Sequence, residues 1–394
     1  MTSESPDSLP DDDFLSLPQF NQSFTVQPNP ENGLTAPFTL KYADIGDTSS
    51  QNVLLFFSPL MGSRLLLTPK HALASRLHIR ILAVDRPGIG GSTPVAAASR
   101  LHAMCTIIPL LLAHLSISYV SLAAHSGGTI YALDLALSHP EIFPPAAADG
   151  EDGRQGYLAI GCPWVLPSRS GSAMLSVVGM LPRGMIMQTD TLARFIATKV
   201  GPAVGAGYQA LGRVVGASGG LLKVISGSVS GSGSGSGSGN SEGEGGKERN
   251  EEFEFEDRIW GKLIAKMFEE GVEGISEDAV LFMQKGEGSG WGDWGDYDGL
   301  VPRLVEGLRG KGRRLRVDVF YGEKDHMIGD AGSKGPIWFD GCWTGGENKD
   351  VIEFRSRTVK GADHDTIWSA EWDVAMEVME WVSGKKGDAV EAEA

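Results

Sequence analysis

The feature that most constrains the fold is a short apolar run that ends in a serine among small residues. Residues 120–130 read V-S-L-A-A-H-S-G-G-T-I, with Ser126 at the point where a strand would give way to a helix. A serine on such a sharp turn needs small neighbours two positions away on each side, because strand and helix must pass closely. Ala124 and Gly128 occupy these positions. The run therefore predicts a strand, a tight turn that exposes the Ser126 hydroxyl, and a helix.

A serine hydroxyl becomes a useful nucleophile only when a base takes its proton and a carboxylate orients that base. Residues 315–321, L-R-V-D-V-F-Y, alternate like a strand and lead into a loop that carries Asp325. A second strand-like run, residues 351–359, leads into a loop that carries His364. We therefore predict that Ser126 is the nucleophile, His364 the base and Asp325 the acid.

Alternatives exist at both partner positions. His326 adjoins Asp325 and could serve as the base, and Asp330 could serve as the acid if Asp325 is turned away. His125, next to the serine, is expected to pack beside the turn. The three cysteines are scattered, and the sequence contains neither a CxxC nor an HExxH spacing, so we expect reduced thiols and no metal.

The order Ser, Asp, His along the chain and one further motif carry a family resemblance. Residues 85–92 read D-R-P-G-I-G-G-S and follow a strand-like run, residues 79–84. With these residues the chain resembles the α/β-hydrolase superfamily from about residue 38 to residue 384. The resemblance implies an α/β fold with a mostly parallel central sheet flanked by helices, a helical cap inserted between the sixth and seventh strands, and no cofactor.

The resemblance also implies which backbone amides stabilise an oxyanion. Residues 53–57, V-L-L-F-F, read as a buried strand, and the family usually continues with His-Gly-x-Pro-Gly, whereas this chain has Ser58-Pro59-Leu60. By position, the Leu60 amide is one donor. The second is the Gly127 amide, which we place at the N-terminus of a helix, where the helix dipole favours negative charge.

The candidate residues span positions 126 to 364, so both ends of the chain must fold around one core. Composition then sets the boundaries. Polar, proline-punctuated or Gly/Ser-rich and acidic stretches bury too little apolar surface to fold alone. We predict a disordered tail, 1–37; a first core part, 38–163; a helical cap, 164–300, with a disordered insertion, 226–256; a second core part, 301–384; and a flexible tail, 385–394.

Charge and hydropathy limit the partners. The formal net charge is −16, and residues 1–13 and 241–258 each contribute −5 of it. An acidic chain without a basic face argues against nucleic-acid binding, which needs clustered Lys and Arg. Neither a signal peptide nor an apolar stretch long enough to span a bilayer is evident, so we expect a cytoplasmic protein.

Taken together, these features predict a serine hydrolase that cleaves an ester-like small molecule through an acyl-enzyme. Residues 172–187 are rich in methionine and could line an apolar acyl pocket, although ordinary packing explains them as well. In the α/β-hydrolase superfamily that the chain resembles, dehalogenases and most epoxide hydrolases need an aspartate at the position of Ser126. The serine therefore disfavours both activities. An acyltransferase and a catalytically slow ligand-binding protein remain open.

Overall fold

A computed structural model describes residues 9–30, 32–146, 155–172, 175, 180, 182–187, 244–285, 297–345 and 348–384. Its centre is an eight-stranded sheet. The strands are β1 (Gln22–Val26), β2 (Phe38–Gly46), β3 (Val53–Phe57), β4 (Arg80–Val84), β5 (Ser121–Ser126), β6 (Gly156–Pro163), β7 (Leu315–Gly322) and β8 (Ile352–Val359).

The strand order across the sheet is β1-β2-β4-β3-β5-β6-β7-β8. β2 is antiparallel to both of its neighbours, whereas all pairs from β4 to β8 are parallel. Parallel strands need crossover connections, which place helices on both faces of the sheet. Every residue of β3, β4, β6 and β7 is accordingly buried, and β3 and β6 consist of apolar residues, glycine and proline, whereas β7 carries Arg316 and Asp318 among its apolar residues. The predicted fold class is confirmed.

The described helices, in chain order, are α1 (Asp11–Leu15), α2 (His71–Arg76), α3 (Arg100–His114), α4 (Gly128–Ser138), α5 (Pro167–Ser170), α6 (Arg183–Ile186), α7 (Glu244–Glu270), α8 (Gly274–Phe282), α9 (Tyr297–Gly310), α10 (Lys334–Thr344) and α11 (Val374–Ser383). Short 3-10 helices occupy Pro18–Phe20, Arg64–Lys70, Ala97–Ser99 and Pro140–Ile142.

One segment is longer and more apolar than the sequence led us to expect. Ala97–His114, which contains α3, has a mean hydropathy of 1.2 over 18 residues and so meets the length and composition of a membrane span. Half of it is buried, it packs beside α4, and its Arg100 is fully buried. A core helix accounts for these properties.

The predicted disordered tail, 1–37, is wrong for the described residues from 9 onward. α1 and β1 lie in this stretch, and β1 pairs with β2 along five residues, from Gln22 opposite Tyr42 to Val26 opposite Phe38. Phe14, Leu15 and Phe20 are at most 1% exposed. The segment is too polar to form a core alone, but its few apolar side chains pack against the rest of the protein.

The predicted disordered insertion, 226–256, is also wrong in its C-terminal part, because α7 begins at Glu244. Glu251, Glu254 and Asp257 are exposed on one side of this helix. Its other face carries apolar side chains at a spacing of four residues, namely Phe255, Ile259, Leu263 and Met267, all buried. Residues 226–243 lie outside the described residues.

Acidic residues of the segments 1–13 and 241–258 pair with basic residues of α7 and of the core. Arg258 bonds Asp11, and Lys262 bonds both Asp11 and Asp12. The N-terminal segment therefore lies directly against α7, where the Phe14 and Phe255 rings meet edge-on at 5.1 Å. A part of the acidic charge that the sequence places on flexible segments is held in ordered structure.

The other predicted boundaries are those of the insertion, of the second core part and of the C-terminal tail. The predicted insertion between the sixth and seventh strands corresponds to the chain between β6 and β7. The core resumes with α9 at Tyr297, which packs against α4 and α10, slightly before the predicted residue 301. Residues 173–174, 176–179, 181 and 385–394 lie outside the described residues; Leu175 and Ile186 are buried.

Candidate active site

The serine turn is built at the end of β5. Ser126 has φ +50°, a strained left-handed conformation for a residue with a side chain, and α4 follows from Gly128. A Cβ at Gly128 would lie 2.2 Å from the Phe57 carbonyl oxygen, so only glycine lets α4 pass the end of β3. Ala124, which stands at the other small-residue position, is fully buried between strands. The local backbone thus explains the sequence pattern.

Ser126, His364 and Asp325 form one continuous hydrogen-bonded chain. The His364 Nε2 atom lies 2.9 Å from the Ser126 Oγ, and its Nδ1 lies 2.7 Å from Asp325 Oδ2. An ionised carboxylate only accepts hydrogen bonds, so Nδ1 carries the proton and donates it to Asp325. In the neutral ring Nε2 is then an acceptor for the Ser126 hydroxyl. All three side chains are at most 5% exposed.

The pKa values of the pair shift in the directions expected for a base and its orienting acid. Burial alone would lower the pKa of His364, but the charge and hydrogen bond of Asp325 outweigh it, so the pKa is raised. Burial alone would raise the pKa of Asp325, yet the facing imidazole and two backbone amides hold it below its ordinary value. Those amides belong to Met327 and Ile328, which both donate to Asp325 Oδ1.

The loop that carries His364 is fixed on several sides. His125 Nε2 donates to the His364 carbonyl oxygen at 2.7 Å, and burial lowers the pKa of His125 to about 3, so this ring stays neutral. Asp363 Oδ1 accepts hydrogen bonds from the Asp365 and Thr366 amides. His125 therefore packs beside the turn and positions the backbone of His364.

The insertion also contacts this loop. Glu256 on α7 accepts hydrogen bonds from the Ser369 hydroxyl and the Ala370 amide, and it pairs with the buried Lys70. These bonds tie a helix between β6 and β7 to the segment that follows His364.

The structure does not bring the alternative residues to Ser126. His326 is exposed, and its backbone carbonyl accepts a hydrogen bond from Ser172. Asp330 is exposed and accepts a hydrogen bond from the Ser333 hydroxyl. Neither side chain bonds to Ser126 or His364 within the described part of the chain.

The two candidate oxyanion donors lie at the same edge of the sheet. A Cβ at Gly128 would lie 2.9 Å from the Ser58 carbonyl oxygen, so the loop that leads to Leu60 starts against the serine turn. Gly127 is the N-cap of α4. Among the described residues, neither the Leu60 nor the Gly127 amide has a hydrogen-bond acceptor. A donor of an oxyanion hole has to be without such a protein acceptor.

A cysteine adjoins the acid and raises the question of a metal. The ligand atoms of Cys162, Asp325 and His364 lie within 4.8 Å of one another. Burial raises the pKa of the Cys162 thiol well above its ordinary value, with the Asp325 charge adding to the effect, so it stays protonated. Asp325 and the His364 ring already share a proton. This donor set therefore suits hydrogen bonds better than a metal ion.

Two charged residues of this region were not anticipated from the sequence. Arg86 and Asp278 are fully buried and form an ion pair at 2.7 Å. The sequence does point to Arg86, because this residue lies inside the D-R-P-G-I-G-G-S motif. The sequence signal for Asp278 is weak: this acid stands three residues after Ile275 and four before Phe282, at the helical spacing of these buried apolar residues of α8.

Comparison with known proteins bears on the fold. No protein-family model and no curated protein matches the sequence. Among solved structures, a thermophilic esterase from Thermogutta terrifontis is similar at 13% identity, with a TM-score of 0.52 and coverage of 93% of this chain and 100% of the esterase. An epoxide hydrolase from Vigna radiata is similar at 13% identity and TM-score 0.50, over 94% and 98% of the two chains.

A third solved structure agrees with these two. The enol-lactonase from Burkholderia xenovorans is similar at 15% identity and TM-score 0.50, over 88% of this chain and 96% of the lactonase. Identities this low support a shared architecture and leave the chemistry open. Together with the strand order, the serine turn after β5 and the position of the insertion, they show that this chain has the α/β-hydrolase fold.

Proposed function

We propose that this protein is a serine hydrolase that cleaves an ester-like small-molecule substrate through an acyl-enzyme intermediate. The observation that carries the proposal is the chain of hydrogen bonds from Ser126 through His364 to Asp325 at a strained strand-to-helix turn. A nucleophile, a base and an orienting acid in this arrangement are what acyl transfer to a serine requires.

In the proposed mechanism, Ser126 Oγ attacks the carbonyl carbon of the substrate while His364 Nε2 takes the hydroxyl proton. Asp325 keeps the imidazole in the tautomer that has Nε2 free, and its charge stabilises the imidazolium that forms. The Leu60 and Gly127 amides bind the oxyanion, and His364 then returns the proton to the leaving group. Water, activated by the same histidine, releases the acyl group.

An apolar acyl group suits the surroundings of the turn. The Phe282 ring of α8 packs against Gly127, where an added Cβ would lie 2.1 Å from a ring carbon. Trp164 packs against Phe282 with ring centroids 5.6 Å apart, and both side chains are buried. We therefore place apolar groups of the insertion beside the reacting serine, and a small apolar ester, thioester or amide is the proposed class of substrate.

A fluorophosphonate probe tests the proposal, because it reacts covalently only with a serine that has an active base and oxyanion hole. We expect wild-type protein to be labelled and Ser126→Ala and His364→Ala to remain unlabelled. The matched control is His326→Ala, a histidine on the same edge of the sheet that does not bond to Ser126, and it should be labelled like wild type. Circular dichroism and a thermal melt establish that each variant is folded.

The substrate class follows from turnover of p-nitrophenyl esters of increasing acyl-chain length, with and without an added alcohol. Faster turnover of longer chains supports the apolar acyl site, and product ester formed with the alcohol identifies acyl transfer. A folded wild-type protein that is neither labelled nor active would instead favour a ligand-binding protein on this fold.

A further inference from the structure

One arginine holds the loop that carries the Leu60 amide. Arg86 Nη1 donates to the Ser58 carbonyl at 2.6 Å and to the Ser58 hydroxyl at 2.8 Å, and Nη2 donates to the Leu60 carbonyl at 2.9 Å. The Gly62 amide donates to the Pro59 carbonyl at 3.0 Å. The Leu60 N–H belongs to the peptide group between Pro59 and Leu60. The carbonyl of this group accepts from Gly62, and the carbonyls before and after it, those of Ser58 and Leu60, accept from Arg86, so its position is fixed.

These bonds also account for the departure from the family's His-Gly at this place. The Ser58 side chain is an acceptor for the Arg86 guanidinium, and Pro59 supplies a carbonyl and has no N–H to satisfy. A Cβ at Gly62 would lie 2.5 Å from the Leu66 Cδ1 and 2.8 Å from the Pro59 Cδ, so a larger residue here would displace one of these side chains.

The remaining edge of the guanidinium reaches the insertion between β6 and β7. Arg86 Nε donates to Asp278 Oδ2 at 2.7 Å, and the other oxygen of Asp278 accepts from Arg100 Nε at 2.7 Å and from the Tyr131 hydroxyl. Arg86, Arg100 and Asp278 have no exposed side-chain surface. Ions this deeply buried keep a single geometry, because leaving any of them unpaired is costly.

Backbone contacts fix α8 on the same turn after β4. The Gly274 amide donates to the Gly88 carbonyl at 2.8 Å, and the Gly90 amide donates to the Gly271 carbonyl at 2.9 Å. A Cβ at Gly274 would lie 2.1 Å from the Pro87 carbonyl oxygen. The start of α8 and the D-R-P-G turn therefore lie too close together for any residue other than glycine at position 274.

We propose that Asp278 is a positioning residue for the oxyanion hole: from α8 it holds Arg86, and Arg86 holds the Leu60 amide in the direction of the serine. The inference rests on the proposed function. An oxyanion hole works because its donors are oriented before the charge develops. Without the carboxylate, the Nε edge of Arg86 loses its partner and the fork is free to turn away from Ser58 and Leu60.

Arg100 offers a matched control for Arg86. Both guanidinium groups are fully buried, and both donate through Nε to Asp278 at 2.7 Å. Arg100 bonds the Pro87 and Val95 carbonyls, whereas Arg86 bonds the loop before Leu60. Lysine in either position keeps the charge but lacks the planar fork that makes several bonds at once.

The experiment compares Arg86→Lys, Arg100→Lys and Asp278→Asn by thermal melt, by the second-order rate of fluorophosphonate labelling, and by kcat and KM on one p-nitrophenyl ester. We expect similar falls in Tm for the two arginine variants. Arg86→Lys should lower the labelling rate and kcat by roughly 10–100-fold with little change in KM, as for a displaced oxyanion donor. Arg100→Lys should lower kcat by no more than about threefold, because Arg86 keeps both its fork and the Asp278 carboxylate. Asp278→Asn should lower kcat by about tenfold, because Arg86 keeps its fork but loses the charge that holds its Nε edge.

Equal losses of labelling in Arg86→Lys and Arg100→Lys would show that the network serves stability alone and would overturn the inference. If Arg86→Lys does not fold, the isosteric Asp278→Asn decides, and wild-type kcat in that variant counts against it. Wild-type protein that is never labelled refutes the proposed function instead, so the two failures are distinct.

Discussion

Phe14→Ala tests the finding that the N-terminal segment belongs to the folded protein. The Phe14 ring is 0% exposed and lies 5.1 Å from the Phe20 ring and 5.1 Å from the Phe255 ring of α7. Burial of such a side chain contributes about 1.5–3 kcal/mol, and each well-placed aromatic pair adds about 0.5–1.5 kcal/mol. These contributions agree with the loss of about 3–5 kcal/mol that is typical of a buried Phe→Ala change.

The assay is a thermal melt followed by fluorescence and circular dichroism. At about 2–4 °C per kcal/mol for a chain of a few hundred residues, we expect Tm to fall by roughly 6–20 °C. Phe253→Ala is the matched control, because Phe253 lies on α7 two residues before Phe255 but is 38% exposed. That variant should change stability by no more than about 0.5 kcal/mol.

A Tm for Phe14→Ala within about 2 °C of wild type, which is the shift expected from under 1 kcal/mol, would refute the reasoning. The segment before β1 would then be a tail that contributes no stability, as its composition alone suggests. Equal damage from Phe253→Ala would refute it in another way, since burial would not be what distinguishes the two rings.

Three further predictions concern the candidate site. The pKa of His364 is raised, and the base acts only when it is deprotonated, so activity should be lost as pH falls through this pKa. The acidic limb of a kcat/KM profile against pH should therefore have its midpoint above 6.5, the ordinary pKa of histidine. A midpoint at or below pH 6.5 would contradict this. Asp325→Asn should lower kcat by about 10⁴-fold, because the imidazole tautomer is no longer held, while the Tm of the variant stays close to that of wild type. Gly127→Ala should cost about 1–3 kcal/mol in a denaturant melt through overpacking against Phe282, since its φ of −56° suits alanine. Phe282→Ala should relieve that cost in the double variant, and strictly additive losses would show that the two residues are not in contact.

The fold class and the three candidate side chains could be predicted because each depends on a local pattern. Buried parallel strands read as apolar runs, and a serine between small residues marks a strand-to-helix turn. The loops after β7 and β8 follow recognisable strands, so Asp325 and His364 could be named before their distance was known. Since the carboxyl ends of parallel strands meet at one edge of the sheet, the order of the loops predicts that these residues meet. Their proposed roles await the labelling experiment.

The segments that were mispredicted have a polar composition and a sparse apolar face. Phe14 and Phe20 are too few to form a core of their own, so a window of sequence around them resembles a disordered tail. The same holds for the first part of α7, where the acidic residues dominate the composition and the spacing of Phe255, Ile259 and Leu263 carries the signal. The two segments are ordered because each supplies the surface that the other buries.

The sequence by itself therefore determined the buried strands around the site, the serine turn and the loops that carry its partners, since these depend on neighbours within a few residues. Only the tertiary structure decided which charges are buried and what they hold. Asp278 and Arg86 are 192 positions apart and meet without exposed surface. Such a pair is stable only where the surrounding fold excludes water and fixes both ions, and no local pattern records that condition.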